Sequence, residues 1–300
     1  MKSLVLFAII LLGQVLRRVS FLPKEAFGIL SKVVLNITLP CTFAANLSGM
    51  TMRPDLLGMA LIGFGGNAVY IAIGWILARK RNQSDWILNL LNFSGYNIGC
   101  FALPFVAGML GQETVVSLCM FDFGNALWAN EGTNALCMYI QEGKTKKPFA
   151  MIGHLLTRPT VLVLITMPIL SVLHIALPAP VQQFVEIGGS ANSFLSMFLI
   201  GFGMSISFHP SHIRWILKAF LVRFGVAAVF ALLIWKFLPF PEEIRLGAML
   251  AVFAPASAMG VVHTEERGAD VGLAGSWNAL SILFSMLFMG GILLLTGIVQ

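Results

Sequence analysis

Leu56–Ala78 runs without a single charged side chain, and apolar runs of similar length, broken by charged or Pro/Gly-rich clusters, recur along the whole chain. About 20 apolar residues suffice to cross a bilayer as a helix. The windows fall roughly at 3–16, 26–46, 56–78, 86–109, 114–140, 150–173, 181–207, 214–236, 243–263 and 271–298. Charged residues make up 11% of the sequence, where a soluble domain carries about 25%. The pattern predicts an all-α polytopic membrane protein with ten transmembrane helices. Arg17 and Arg18 follow the first apolar run with no small-residue cleavage site, so that run reads as a membrane helix and not a signal peptide.

The basic residues set an orientation. With both termini outside, fourteen of the 19 Lys and Arg fall in cytoplasmic loops, including Arg17, Arg79, Lys144, Arg158, Arg214 and Arg267. Only Lys2, Arg53, Lys236 and Arg245 stay outside, as the positive-inside rule requires. The basic linker 141–148 divides the chain into two five-span halves, 1–140 and 149–300. Because five is odd, two similar halves sit in opposite orientations, the inverted repeat of many secondary transporters.

Two windows are interrupted. In Asn92–Leu110 the run Ser94-Gly95-Tyr96-Asn97-Ile98-Gly99 is poor helix interior, and Pro104 follows. In the ninth window Pro255 stands between Ala254 and Ala256-Ser257. Lipid cannot satisfy freed backbone groups, so such breaks survive where protein buries them or a watery cavity meets them. Interrupted helices at corresponding places in two halves point to a binding site. A glycine-packed or proline-kinked helix is the plainer reading of either one alone.

The motif residues carry a resemblance. Asn97-Ile-Gly-Cys-Phe-Ala-Leu-Pro104 resembles the N-T-G-F-L-G-I-P motif of the auxin efflux carrier family, with Asn97, Gly99 and Pro104 in register and Ala102 in place of the second glycine. Gly13–Arg18, Asn36–Pro40 with Phe43, Ala254–Ala258 and Thr264–Asp270 resemble other family stretches in the same order. Gly260 stands where the family often has an asparagine. The resemblance implies a fold shared with bile-acid-type sodium symporters. It implies a scaffold of spans 1, 2, 6 and 7, a mobile transport domain of spans 3–5 and 8–10, and broken spans 4 and 9 crossing at the midplane. It also implies elevator-type alternating access, a homodimer, and a small organic anion as substrate in the cell membrane of a prokaryote.

The expected site follows from helix electrostatics. A helix start near the midplane offers unpaired N–H groups and about half a positive charge, which suits a carboxylate. Ser94, Gly95, Asn97, Ile98, Gly99, Pro255, Ala256 and Ser257 are the substrate-binding candidates, with Thr38 on the scaffold side. Asn97 alternatively only caps its helix. Carbonyls at the ends of the first half-helices, near Ser94 and Phe253, can face a cation.

Acids inside spans are costly and usually functional, so Asp122, Asn125 and Glu131 are candidates for coupling a proton or sodium; the alternative is a structural role. Pro40, Pro104 and Pro255 are expected to kink or break their helices. Arg223 either pairs with an acid such as Asp122, neutralises substrate or snorkels. His263 sits at a cytoplasmic helix end and loop, where it either gates access or is a solvated loop residue. Cys41, Cys100, Cys119 and Cys137 lie in apolar segments without metal spacing, so no metal or cofactor is expected. No nucleotide-binding loop, nucleic-acid signature or paired catalytic groups appear. A secondary transporter is thus favoured over a sodium-coupled bile-acid-type symporter, an intramembrane enzyme or a receptor.

Overall fold

The computed structural model describes residues 2–23, 25–79, 82–106, 108–142, 157–204 and 210–296. Most of the basic linker and the start of the sixth window lie outside the described residues. So do the end of the seventh and the side chain of Asn130. The described chain is helical, and its helices follow the apolar windows, with several running one to three residues past their bounds. They are α1 (Lys2–Arg18), α2 (Ala26–Leu47), α3 (Pro54–Ala78) and α4 (Gln83–Phe93). The first half closes with α5, a π turn Ile98–Ala102 running into Leu103–Val106, and α6, Gln112–Ala126 continuing through Leu127–Gly132 into Thr133–Glu142. The second half contributes α7 (Pro159–Val172), α8 (Ala179–Gly203), α9 (Ile213–Phe237), α10 (Glu242–Val252), α11 (Met259–Glu266) and α12 (Val271–Leu295).

Five of these (α2, α3, α8, α9 and α12) are long and apolar enough to cross a membrane. Large apolar side chains such as Leu61, Phe184, Leu232 and Leu287 stand exposed on the outside, while Asn67, Asn125 and Arg223 are fully buried. That inversion of the soluble pattern suits a lipid solvent, whose tails are as apolar as leucine.

Packing sorts the helices into two groups. α1 and α2 pack on α8, and α7 packs on α2; α3, α4, α6 and α9–α12 pack on one another, with α2 and α7 also reaching α6. α5 touches both groups. Close approach within the first group rests on Gly201, where a Cβ would run into the carbonyl oxygen of Ile10 on α1. The prolines act through π turns. Pro40 and Pro104 each follow one, Val34–Thr38 and Ile98–Ala102. The wider turn accommodates a residue that lacks an N–H and crowds the preceding carbonyl. Pro104 therefore sits inside a continuing helix, downstream of the break, whereas Pro255 lies in the second unwound stretch itself.

Candidate functional site

The two interruptions, α4–α5 and α10–α11, meet each other. Tyr96 and Ala256 form an isolated antiparallel bridge. Asn97 N donates to Pro255 O at 2.9 Å, and Ser257 N donates to Gly95 O at 3.2 Å. Gly95 allows the approach: its φ is +77°, and a Cβ there would lie 2.8 Å from the Cβ of Ser257.

Each bridging residue is also held on its other side. The Asn125 amide on α6 donates to Tyr96 O at 2.8 Å and accepts from Tyr96 N at 2.9 Å. On α12, Asn278 Nδ2 donates to Ala256 O at 2.9 Å, while Ala256 N donates to Ser281 Oγ at 3.1 Å. Asn67 on α3 accepts from Gly95 N and donates to Asn125 Oδ1 at 3.0 Å. The sequence alone does not mark Asn67, Asn278 or Ser281 as site residues; for the two asparagines the available signal is an amide within a long apolar run.

A cavity of about 350 Å³ opens beside this bridge. Of the expected site residues, Asn97, Ile98, Gly99, Asp122, Asn125 and Ser257 line it. The Asn97 side chain makes no cap bond to its helix, is 8% exposed, and has no hydrogen-bond partner among the described residues. No acceptor among the described residues meets the N–H groups of Ile98, Gly99 or Cys100 either. The second helix start is more occupied. Besides the bonds to Ala256 N and Ser257 N, Met259 N donates to Ser257 Oγ at 3.2 Å. N–H groups without acceptors are therefore concentrated at the first break, with Asn97 beside it.

Other expected residues stand behind the cavity wall. Ser94 donates to Leu90 O at 2.6 Å, and Gly95, Pro255 and Ala256 belong to the bridge. Thr38 does not line the cavity. It donates to Asn192 Oδ1 at 3.0 Å, and Asn192 Nδ2 reaches Gly99 O at 3.3 Å, so Thr38 meets the break through a second side chain. Asp122 lines the cavity, 8% exposed, and Asn125 Nδ2 donates to it at 2.6 Å. Glu131 is paired with Arg158 at 2.9 Å near the basic end. His263, expected at a helix end and loop, is buried within α11, its Nδ1 2.9 Å from Glu266 Oε2.

Arg223 departs most from expectation. It is fully buried, does not line the cavity, and its guanidinium bonds go to carbonyls instead of Asp122. Nη1 donates to Phe93 O at 2.9 Å; Nη2 donates to Ala254 O at 2.8 Å and Pro255 O at 3.0 Å. The Tyr70 and Tyr96 rings lie 4.9 and 4.4 Å from it. The carbonyls expected to face a cation thus face this one.

Residues 1–146 match a family described as membrane transport protein. The family so described is the one, the auxin efflux carriers, that the motif residues resemble. The match contains the first break and the Asp122–Asn125 pair, so the resemblance to that family holds over nearly half of the chain. An uncharacterized transporter of Methanothermobacter thermautotrophicus is 28% identical over 127 residues, covering 40% of this chain. The chain matches only 41% of that relative's length. Family match and apolar helices together indicate an integral membrane protein.

Proposed function

We propose that this protein is a secondary transporter that holds a small carboxylate at the meeting point of its two interrupted helices. The observation that carries the reading is the cavity wall at the first break, where free N–H groups of Ile98–Cys100 and the unpartnered Asn97 amide converge. A helix start adds about half a positive charge there. The remaining wall is largely apolar, with Leu35, Leu39 and Ile282 available to an organic body. The family match supports transport as the activity.

The wider architecture follows from the same geometry. The Asn125–Tyr96 and Asn278–Ala256 bonds occupy matching places in the two halves, which supports ten spans as two inverted repeats with crossing helices. The group α1, α2, α7 and α8 serves as scaffold; the other helices carry the substrate in an elevator-type movement. The cavity reaches Phe27, Arg158 and Met204 at the helix ends rich in basic residues. With both termini outside, this is an inward-open state. Asp122 is the coupling acid: a carboxylate and an ionised Asp122 in one cavity repel, so anion and proton bind together.

A thermal-shift screen of detergent-solubilised protein tests the site, using mono- and dicarboxylates and aromatic acids at acidic and neutral pH. Stabilisation by one carboxylate, lost in Asn97→Ala, is the expected result. Stabilisation by neutral or cationic solutes alone would overturn the anion assignment.

A further inference from the structure

Arg223 sits where two helices end. α4 and α10 run into the bridge with their C-termini, and Phe93, Ala254 and Pro255 present carbonyls that have left their ladders. Each helix C-terminus carries about half a negative charge. Two of them together match one guanidinium. Among the described residues no carboxylate bonds Arg223, so its buried charge is balanced by carbonyl dipoles and by the faces of Tyr70 and Tyr96. A planar fork of donors fits carbonyls diverging from two chains, which a compact ammonium fits less well.

We infer that Arg223 is a fixed counter-cation built into the chain, standing where a bound metal cation would otherwise have to balance the two helix ends. Three carbonyls at the ends of two interrupted helices are hard oxygen ligands of the type that hold sodium where helices are interrupted. With the guanidinium in place that oxygen set is occupied. Arg223 is a positioning residue: it holds the bridge together, lies outside the cavity and touches no substrate. Its removal leaves an oxygen-lined, negatively polarised gap that an alkali cation can fill.

The inference deepens the transporter reading, yet its test needs no substrate. Unfolding temperatures are measured for purified protein in sodium, potassium and choline chloride at equal ionic strength. Wild type is expected to show the same Tm in all three salts. Arg223→Gln is expected to lose stability in choline and recover several degrees in sodium or potassium. Arg223→Lys keeps the charge and is expected to stay insensitive to the cation. A sodium-specific rise in wild type or in Arg223→Lys overturns the inference, as does a folded Arg223→Gln that ignores the cation. Should Arg223→Gln fail to fold, the wild-type and Arg223→Lys comparison decides. A carboxylate screen without a hit would instead overturn the substrate reading and leave these salt results standing.

Discussion

The side chain of Asn125 pairs with the peptide of Tyr96 as a neighbouring strand would, giving one hydrogen bond to its carbonyl at 2.8 Å and taking one from its N–H at 2.9 Å. The segment is thereby bonded on both edges, Tyr96 by an amide side chain on one and its neighbours Gly95 and Asn97 by the second unwound stretch on the other. Lipid offers no substitute for either bond. Leaving a buried polar group unpaired costs about 1–3 kcal/mol. Asn125→Leu frees both backbone groups of Tyr96 and is expected to lower stability by at least about 2 kcal/mol. Asn278→Leu frees the Ala256 carbonyl alone and is expected to cost roughly half as much. Thermal unfolding in detergent checks both; a wild-type midpoint for Asn125→Leu would remove the clamp from the account.

Gly95 makes a second demand on the same bridge. Its φ of +77° and the 2.8 Å that would separate an added Cβ from Ser257 Cβ act together. A left-handed conformation alone costs an ordinary residue about 1–2 kcal/mol. Gly95→Ala is expected to exceed that, because the two stretches must also part. Loss of carboxylate stabilisation should accompany the drop in Tm. An alanine variant with unchanged Tm and binding would mean that the bridge tolerates separation.

Much of this site was legible because broken helices have a vocabulary of their own. Gly95, Asn97 and Pro255 are poor helix formers in runs otherwise long enough to cross a bilayer, and the structure unwinds the chain at those residues. Asp122 and Asn125, three residues apart, fall on one helix face and share a hydrogen bond. What a linear reading lacked was the identity of partners across the fold. The acceptors of Arg223 are neither an acid nor a substrate but backbone carbonyls, which carry no side-chain signature. Thr38, expected on the scaffold side of the substrate, is engaged instead by Asn192 from the other half of the chain. The unequal helix starts were hidden for the same reason, since Ser281 and Gly95 supply acceptors that no local pattern announces.

Asp122 links binding to pH if it shares the cavity with an anion. Protonation removes the repulsion, so protonated Asp122 and bound anion favour each other. Carboxylate affinity is then expected to rise as pH falls. Asp122→Asn is neutral at every pH and keeps an oxygen to accept from Asn125 Nδ2. It is expected to bind with affinity nearly independent of pH and to lose proton-driven uptake in proteoliposomes. A variant as pH-dependent as wild type would move the coupling to another group.

Glu131 and Arg158 join the two groups of helices at the basic end of the cavity. Glu131 belongs to the π turn of α6, and Arg158 immediately precedes α7 and lines the cavity. Their N–O distance is 2.9 Å, and the Arg158 side chain is 47% exposed. A half-solvated pair contributes at most about 1 kcal/mol, so Glu131→Gln is expected to leave Tm almost unchanged. The effect falls on movement: if α6 slides past α7 during transport, this pair must break in each cycle. Glu131→Gln and Arg158→Gln are each expected to speed substrate exchange in proteoliposomes several-fold. The double variant should be no faster than either single one, since the second substitution finds no bond left to remove. Additive effects would show that the two residues act separately, and unchanged rates would place the rate-limiting contact elsewhere.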